Sequence, residues 1–170
     1  PKVVVGTVMS NAGLEATLAR DGIALVRAAV GDRYVWETLE ELDAALGGEP
    51  SGHVIFRHRS PAGDGILAAL EHLRVVVREG STLADLARDV DRWPQVHRNV
   101  RVERRREWRE TPGFYAAYER VERQLGVGGR LIVRASGTEP VLRIIVEARD
   151  AAVASSSAAF LESAAKEHLG

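Results

Sequence analysis

Two short segments carry the residues whose types could do chemistry. The first is Arg134-Ala135-Ser136-Gly137-Thr138-Glu139-Pro140, with Arg143 just beyond. It sets two guanidinium groups and two hydroxyls around one glycine-bearing bend. A planar guanidinium can take two phosphate oxygens at once, and hydroxyls and backbone N–H groups in a tight bend complete a nest for an anion. A plain hairpin turn would account for Gly137 but asks for neither the arginines nor the hydroxyls. On the residues alone, both a phosphate grip and a simple turn stand.

The second segment is Gly47-Gly48-Glu49-Pro50-Ser51-Gly52-His53. If it is extended, Glu49, Ser51 and His53 fall at every second position and share one face. A carboxylate, a hydroxyl and an imidazole together suit a polyhydroxylated ligand, with Glu49 accepting from neighbouring hydroxyls. The competing reading is a glycine-rich connection between a helix and a strand. A third segment, Gly31-Asp32-Arg33-Tyr34, has two readings as well. Asp32 caps a helix while Arg33 is solvated, or Arg33 faces a ligand at the carboxyl end of a sheet.

Other candidates carry less. His53 and His58 are five apart on an apparent strand and point to opposite faces, which argues against a metal pair. Gly126-Val127-Gly128-Gly129-Arg130 lacks the ending of a P-loop and precedes a strand, so it reads as a turn. Arg101 to Arg109 is arginine-rich, but Glu103 and Glu107 interrupt it. Mixed charge favours a solvated connection over a nucleic-acid patch.

The elements that must position these groups follow from periodicity. Lys2 to Val8 and Ile23 to Val30 read as strands, and Ser10 or Asn11 caps the helix between them. Tyr34 to Leu46 has helical spacing, and His53 to Arg57 is strand-like. Ile66 to Val77 is a long helix with a stripe through Leu67, Leu70, Leu73 and Val77. Ser81-Thr82 caps a short helix from Leu83 to Asp89. Beyond Trp93-Pro94 the pattern changes. An alternating strand runs from Val96 to Val102, and Thr111-Pro112 opens a helix in the favoured order. Arg130 to Val133 and Val141 to Glu147 form two strands, and an alanine-rich helix runs from Ala151 to His168. These runs predict a three-layer α/β sheet domain over residues 1–92. A smaller α+β domain follows over residues 93–170, with an antiparallel sheet and helices on one face.

Composition sets outer bounds. The 170 residues include no cysteine, so thiolate and disulfide chemistry are excluded. A formal net charge of −1 argues against a chain built to cover nucleic acid or an anionic membrane. No apolar run reaches the length that spans a bilayer.

The motifs, in this order, resemble the α-D-phosphohexomutase superfamily. Val5 to Asn11 and Val30 to Val35 resemble its third domain, Gly48 to His53 its sugar-binding loop, and Arg134 to Pro140 the phosphate-binding loop of its fourth. Ala62-Gly63-Asp64-Gly65 follows at the family's spacing. The resemblance implies that residues 1–92 are a third domain without its first helix. It implies that Glu49 and Ser51 hold sugar hydroxyls and that Arg134, Ser136, Gly137 and Thr138 hold the phosphate that is not reacting, with Arg143 beside them. His53 is the candidate for proton transfer or phosphate contact, and Arg33 a substrate-side candidate. Within the superfamily the likeness leans to the amino-sugar branch, which interconverts glucosamine 6-phosphate and glucosamine 1-phosphate and feeds cell-wall precursors. A phosphomannomutase or phosphoglucomutase, or a non-catalytic phosphosugar-binding module, remains open. The family's serine loop and its aspartate-rich magnesium loop have no counterpart here. The nucleophile and the metal ligands are therefore expected in preceding domains of a longer cytoplasmic enzyme, and this portion alone is expected to be inactive. A homodimer is an open expectation.

Overall fold

The computed structural model describes residues 2–103 and 107–170. Residues 104–106, in the middle of the arginine-rich run, lie outside the described part. The chain divides into two compact units, Pro1–Arg92 and Trp93–Gly170.

The first unit runs β1 (Val3–Thr7), α1 (Ala12–Arg20), β2 (Ala24–Ala28), α2 (Asp32–Glu41), β3 (Leu46–Gly48), β4 (Val54–Phe56), α3 (Gly65–Glu79) and α4 (Leu83–Ala87). Its sheet has the order β2-β1-β3-β4. Strand β1 pairs parallel with β2 and β3, and β4 closes antiparallel on β3. The chain leaves β1 in one direction for β2 and returns past it to β3. Right-handed crossovers then put α1 and α2 on opposite faces, giving three layers. Val5, Ala28, Val35, Leu39, Ala44 and Ile55 make the core beneath α2. The helix starts follow local chemistry. Asn11 accepts from the Gly13 N–H, Asp64 from those of Ile66 and Leu67, and Thr82 from that of Asp85.

Two expectations change here. Helix α2 stops at Glu41 instead of reaching Leu46, and Leu46–Gly48 becomes an inner strand of the sheet. Gly47 is there for close approach. A Cβ on it would stand 2.8 Å from Val35 Cγ1 and 3.0 Å from the Val5 carbonyl oxygen. The residues that read as turn signals are thus packing signals. Helix α3 also differs. Ile66, Leu70, Leu73 and Val77 are 78%, 60%, 58% and 80% exposed, while Ala68 on the opposite side is buried. The apolar stripe does not face this unit's core. Helix periodicity finds a stripe but does not say which neighbour covers it.

The second unit runs β5 (Gln95–Arg101), α5 (Pro112–Leu125), a 3-10 turn (Gly126–Gly128), β6 (Gly129–Ala135), β7 (Val141–Ala148) and α6 (Ala151–Leu169). Its sheet is antiparallel in the order β5-β7-β6. Leu142, Ile144 and Val146, alternate residues of β7, share one core with Phe114 and Val121 of α5 and with Leu161 and Ala165 of α6. Both helices therefore cover the same face. Each of the larger of these side chains stabilises by roughly 1.5–3 kcal/mol on burial.

Candidate functional site

In the first unit the chemistry gathers at the carboxyl ends of the parallel strands. The order β2-β1-β3 reverses direction around β1, and open α/β sheets place ligands at such a switch point. Strand β2 leads to Gly31, whose φ of 128° suits glycine, and then into α2. Strand β3 leads to Glu49. The Gly31 N–H donates to Glu49 Oε1 at 2.9 Å, so Glu49 lies against the amino end of α2, where its charge is favoured.

Residues 49–53 are not extended. The Glu49 N–H donates to the His53 carbonyl oxygen and the Gly52 N–H to the Glu49 carbonyl oxygen, turning the chain from β3 into β4. The shared face expected for Glu49, Ser51 and His53 is replaced by a tight turn. Ser51 sits exposed at its tip. Glu49 and His53 still converge across the turn, with His53 Nδ1 3.9 Å from Glu49 Oε2.

The third member of the cluster is Asp32, which reading of the sequence treated only as a helix cap. Gly31 occupies the cap position, and Asp32 is the first residue of α2. Its Oδ1 lies 3.1 Å from His53 Nδ1. Asp32 and His53 are 21 positions apart, and no spacing rule links them; only the strand order does. Gly63 leaves room for the pair, since a Cβ there would lie 3.2 Å from His53 Cβ and 3.3 Å from Asp32 Oδ2. Arg33 is not brought to this cluster. Its side chain is 82% exposed and pairs with Glu37 one turn along α2, which raises its already high pKa.

In the second unit, the loop from Ser136 to Pro140 joins β6 to β7. The register places Arg134 directly opposite Arg143. Like charges at directly paired positions destabilise a sheet. Arg143 has Glu139 Oε2 at 3.7 Å, and Arg134 makes no ion pair among the described residues. The two arginines, with Ala135, Ser136, Gly137 and Thr138, line an open cleft of about 240 Å³. Ser136 is buried, and its Oγ accepts from the Glu139 N–H at 3.3 Å. It shapes the loop from within, whereas the Thr138 side chain is exposed. Among the described residues, nothing accepts from the Gly137 or Thr138 N–H. Gly137 has no left-handed backbone, and a Cβ on it would meet no atom within 4 Å. The bend itself does not require glycine. What glycine supplies is space beside the arginines.

A three-layer sheet domain with polar groups at its switch point is followed by a small α+β domain bearing a basic loop. The chain belongs to the phosphoglucomutase/phosphomannomutase family. The family's alpha/beta/alpha domain III matches residues 1–93 and its C-terminal domain matches residues 98–164. A phosphoglucosamine mutase of Variovorax paradoxus is 48% identical over 158 residues, covering 93% of this chain and 36% of that protein. A phosphoglucosamine mutase of Verminephrobacter eiseniae is 49% identical over 163 residues, covering 96% of this chain and 35% of that protein. The chain thus spans about 36% of the length of such relatives. Among solved structures, the Aspergillus fumigatus N-acetylphosphoglucosamine mutase in complex with GlcNAc-6P and magnesium superposes with a TM-score of 0.74. Identity to it is 19%, over 98% of this chain and 39% of the other.

Magnesium does not fit the residues here. Among the described residues, one group could hold a cation: Asp32, Glu49 and His53. Its centre is an imidazole nitrogen bonded to Asp32, and one Glu49 oxygen is engaged by the Gly31 N–H. Magnesium asks for an octahedron of oxygens. Asp64, in the Gly63-Asp64-Gly65 motif, uses its carboxylate to cap α3. No helix among the described residues is long and apolar enough to cross a membrane.

Proposed function

We propose that the chain is the carboxyl-terminal part of a phosphoglucosamine mutase. The whole enzyme interconverts glucosamine 6-phosphate and glucosamine 1-phosphate through a phosphoserine and a bisphosphate intermediate. This portion supplies recognition. The nucleophilic serine and the magnesium ligands belong to other domains, and the enzyme works in the cytoplasm.

The observation that carries the reading is the arginine pair. Two cations paired across a ladder beside an open cleft repel each other unless an anion lies between them. A phosphate dianion supplies that charge and accepts from Arg134, Arg143, Thr138 and the N–H groups of Gly137 and Thr138. Ser136 holds the loop in shape. In the first unit, Glu49 Oε2 and His53 meet sugar hydroxyls, and Ser51 stands at the turn tip within reach of a ligand. Arg33, exposed at the start of α2 and paired with Glu37, stays a substrate-side candidate apart from the cluster of Asp32, Glu49 and His53.

Each half-reaction of such a mutase needs the non-reacting phosphate held still while the other is transferred. Positioning of this kind supplies a large share of catalysis in phosphoryl transfer. The test has two arms. Calorimetric titration of the 170-residue chain with glucosamine 6-phosphate is expected to show binding without conversion. The full-length protein is expected to turn over glucosamine phosphates faster than glucose or mannose phosphates. Turnover by the chain alone, or a preference for mannose phosphate, refutes the assignment.

A further inference from the structure

We propose that Asp32 is a positioning residue that fixes the tautomer of His53 and so decides which ring nitrogen meets the ligand. This rests on the reading above that His53 contacts the sugar phosphate.

Two carboxylates approach the same nitrogen, His53 Nδ1. Asp32 Oδ1 is at 3.1 Å, a hydrogen-bond distance, and Glu49 Oε2 is at 3.9 Å, beyond one. The Nδ1–H therefore donates to Asp32. A carboxylate accepts only, so the neutral imidazole must carry its proton on Nδ1 and present a bare lone pair at Nε2. The two acids divide the work. Asp32 holds the ring, and Glu49 keeps Oε2 for a hydroxyl.

Three features fix the arrangement. Asp32 is the first residue of α2, where the helix dipole favours its charge. Glu49 is tied by the Gly31 N–H, adjacent in sequence to Asp32. Gly63 packs against both members of the pair, so a larger residue there would push them apart. The consequence is directional. Nε2 of the neutral ring accepts from a sugar hydroxyl. In the opposite tautomer Nε2 would carry the proton and meet that hydroxyl as a donor.

The test uses the 170-residue chain labelled at the histidine ring nitrogens. The His53 resonances are assigned by their loss in His53→Gln, which separates them from His58, His72, His97 and His168. In the neutral ring, His53 is expected as the Nδ1–H form, and Asp32→Ala shifts the population towards Nε2–H. The backbone amide spectrum away from residues 31–53 stays in place and reports that the variant folds. An unchanged tautomer ratio in Asp32→Ala overturns the proposal. Glucosamine 6-phosphate is then titrated in. Affinity is expected to fall about tenfold in Asp32→Ala, the size of one hydrogen bond. A shifted tautomer with unchanged affinity overturns the claim that the ring's setting serves the ligand. If the wild-type chain binds no glucosamine 6-phosphate while the tautomer still depends on Asp32, the functional reading fails and the pairing of Asp32 with His53 stands.

Discussion

Replacing Arg134 with Ala should move binding and stability in opposite directions. Arg134 and Arg143 are paired across β6 and β7 and both reach solvent. At about 6 Å in a water-like medium their repulsion is roughly 0.7 kcal/mol. Removing one cation should therefore leave the second unit as stable as before, or more stable by up to about that amount. Binding behaves differently. Loss of a charged hydrogen bond costs about 1.5–3 kcal/mol, and a loss of about 2 kcal/mol is roughly a thirtyfold weaker affinity. Ligand at a hundred times its dissociation constant stabilises wild type by about 2.7 kcal/mol. The same concentration would stabilise Arg134→Ala by only about 0.9 kcal/mol. Urea unfolding with and without glucosamine 6-phosphate reads both quantities in one experiment. A variant that is more than about 1 kcal/mol less stable, with the ligand effect unchanged, would show that Arg134 serves the sheet and not an anion.

Other consequences can be checked separately. Gly137→Ala places a methyl group where no atom lies within 4 Å. Stability should stay within about 0.5 kcal/mol of wild type while phosphosugar affinity falls, and equal affinity by calorimetry would count against an occupied cleft. Tyr118 is partly buried and donates to Glu122 at 2.7 Å. Burial, then that carboxylate, raises its phenol from 10.0 to about 12. The unfolded chain loses this proton first, so the contribution is complete below pH 10 and is lost as pH rises to about 12. Tyr118→Phe should remove the late-ionising component of the ultraviolet titration and flatten the alkaline fall in stability. Leu73→Gln on the exposed side of α3 should cost less than about 0.5 kcal/mol in this chain, whereas Leu161→Ala in the second core should cost about 2–5 kcal/mol by urea unfolding.

Local chemistry was the legible part of this sequence. Asn11 caps α1, Thr111-Pro112 opens α5, and the alternation from Val96 to Val102 marks β5, with Val100 and Val102 in the core. These signals act within a few residues. Errors arose where a residue answers to a distant partner. Gly47 reads as a turn residue until Val35 and the backbone of Val5 are seen pressed against it. The stripe on α3 reads as core because nothing in a helix says what lies beyond it. Asp32 reads as a cap because its partner, His53, reaches it only through the sheet order. The fold class and the superfamily were readable from motif order, and the arginine pairing was not. It depends on the strand register, which neither arginine encodes.

That register is enforced from the other side of the sheet. Leu142 and Ile144 are fully buried, and Arg143 between them must point away. A slip of one residue along β7 would drive the guanidinium into the apolar interior and bring two aliphatic chains into water. The aim of the basic residue is thus a mechanical property of the hydrophobic face, held by side chains that touch no ligand. Damage to that face, at Leu142 or at Phe114 beneath it, would surface first as a blurred electrostatic target, before the fold itself gave way.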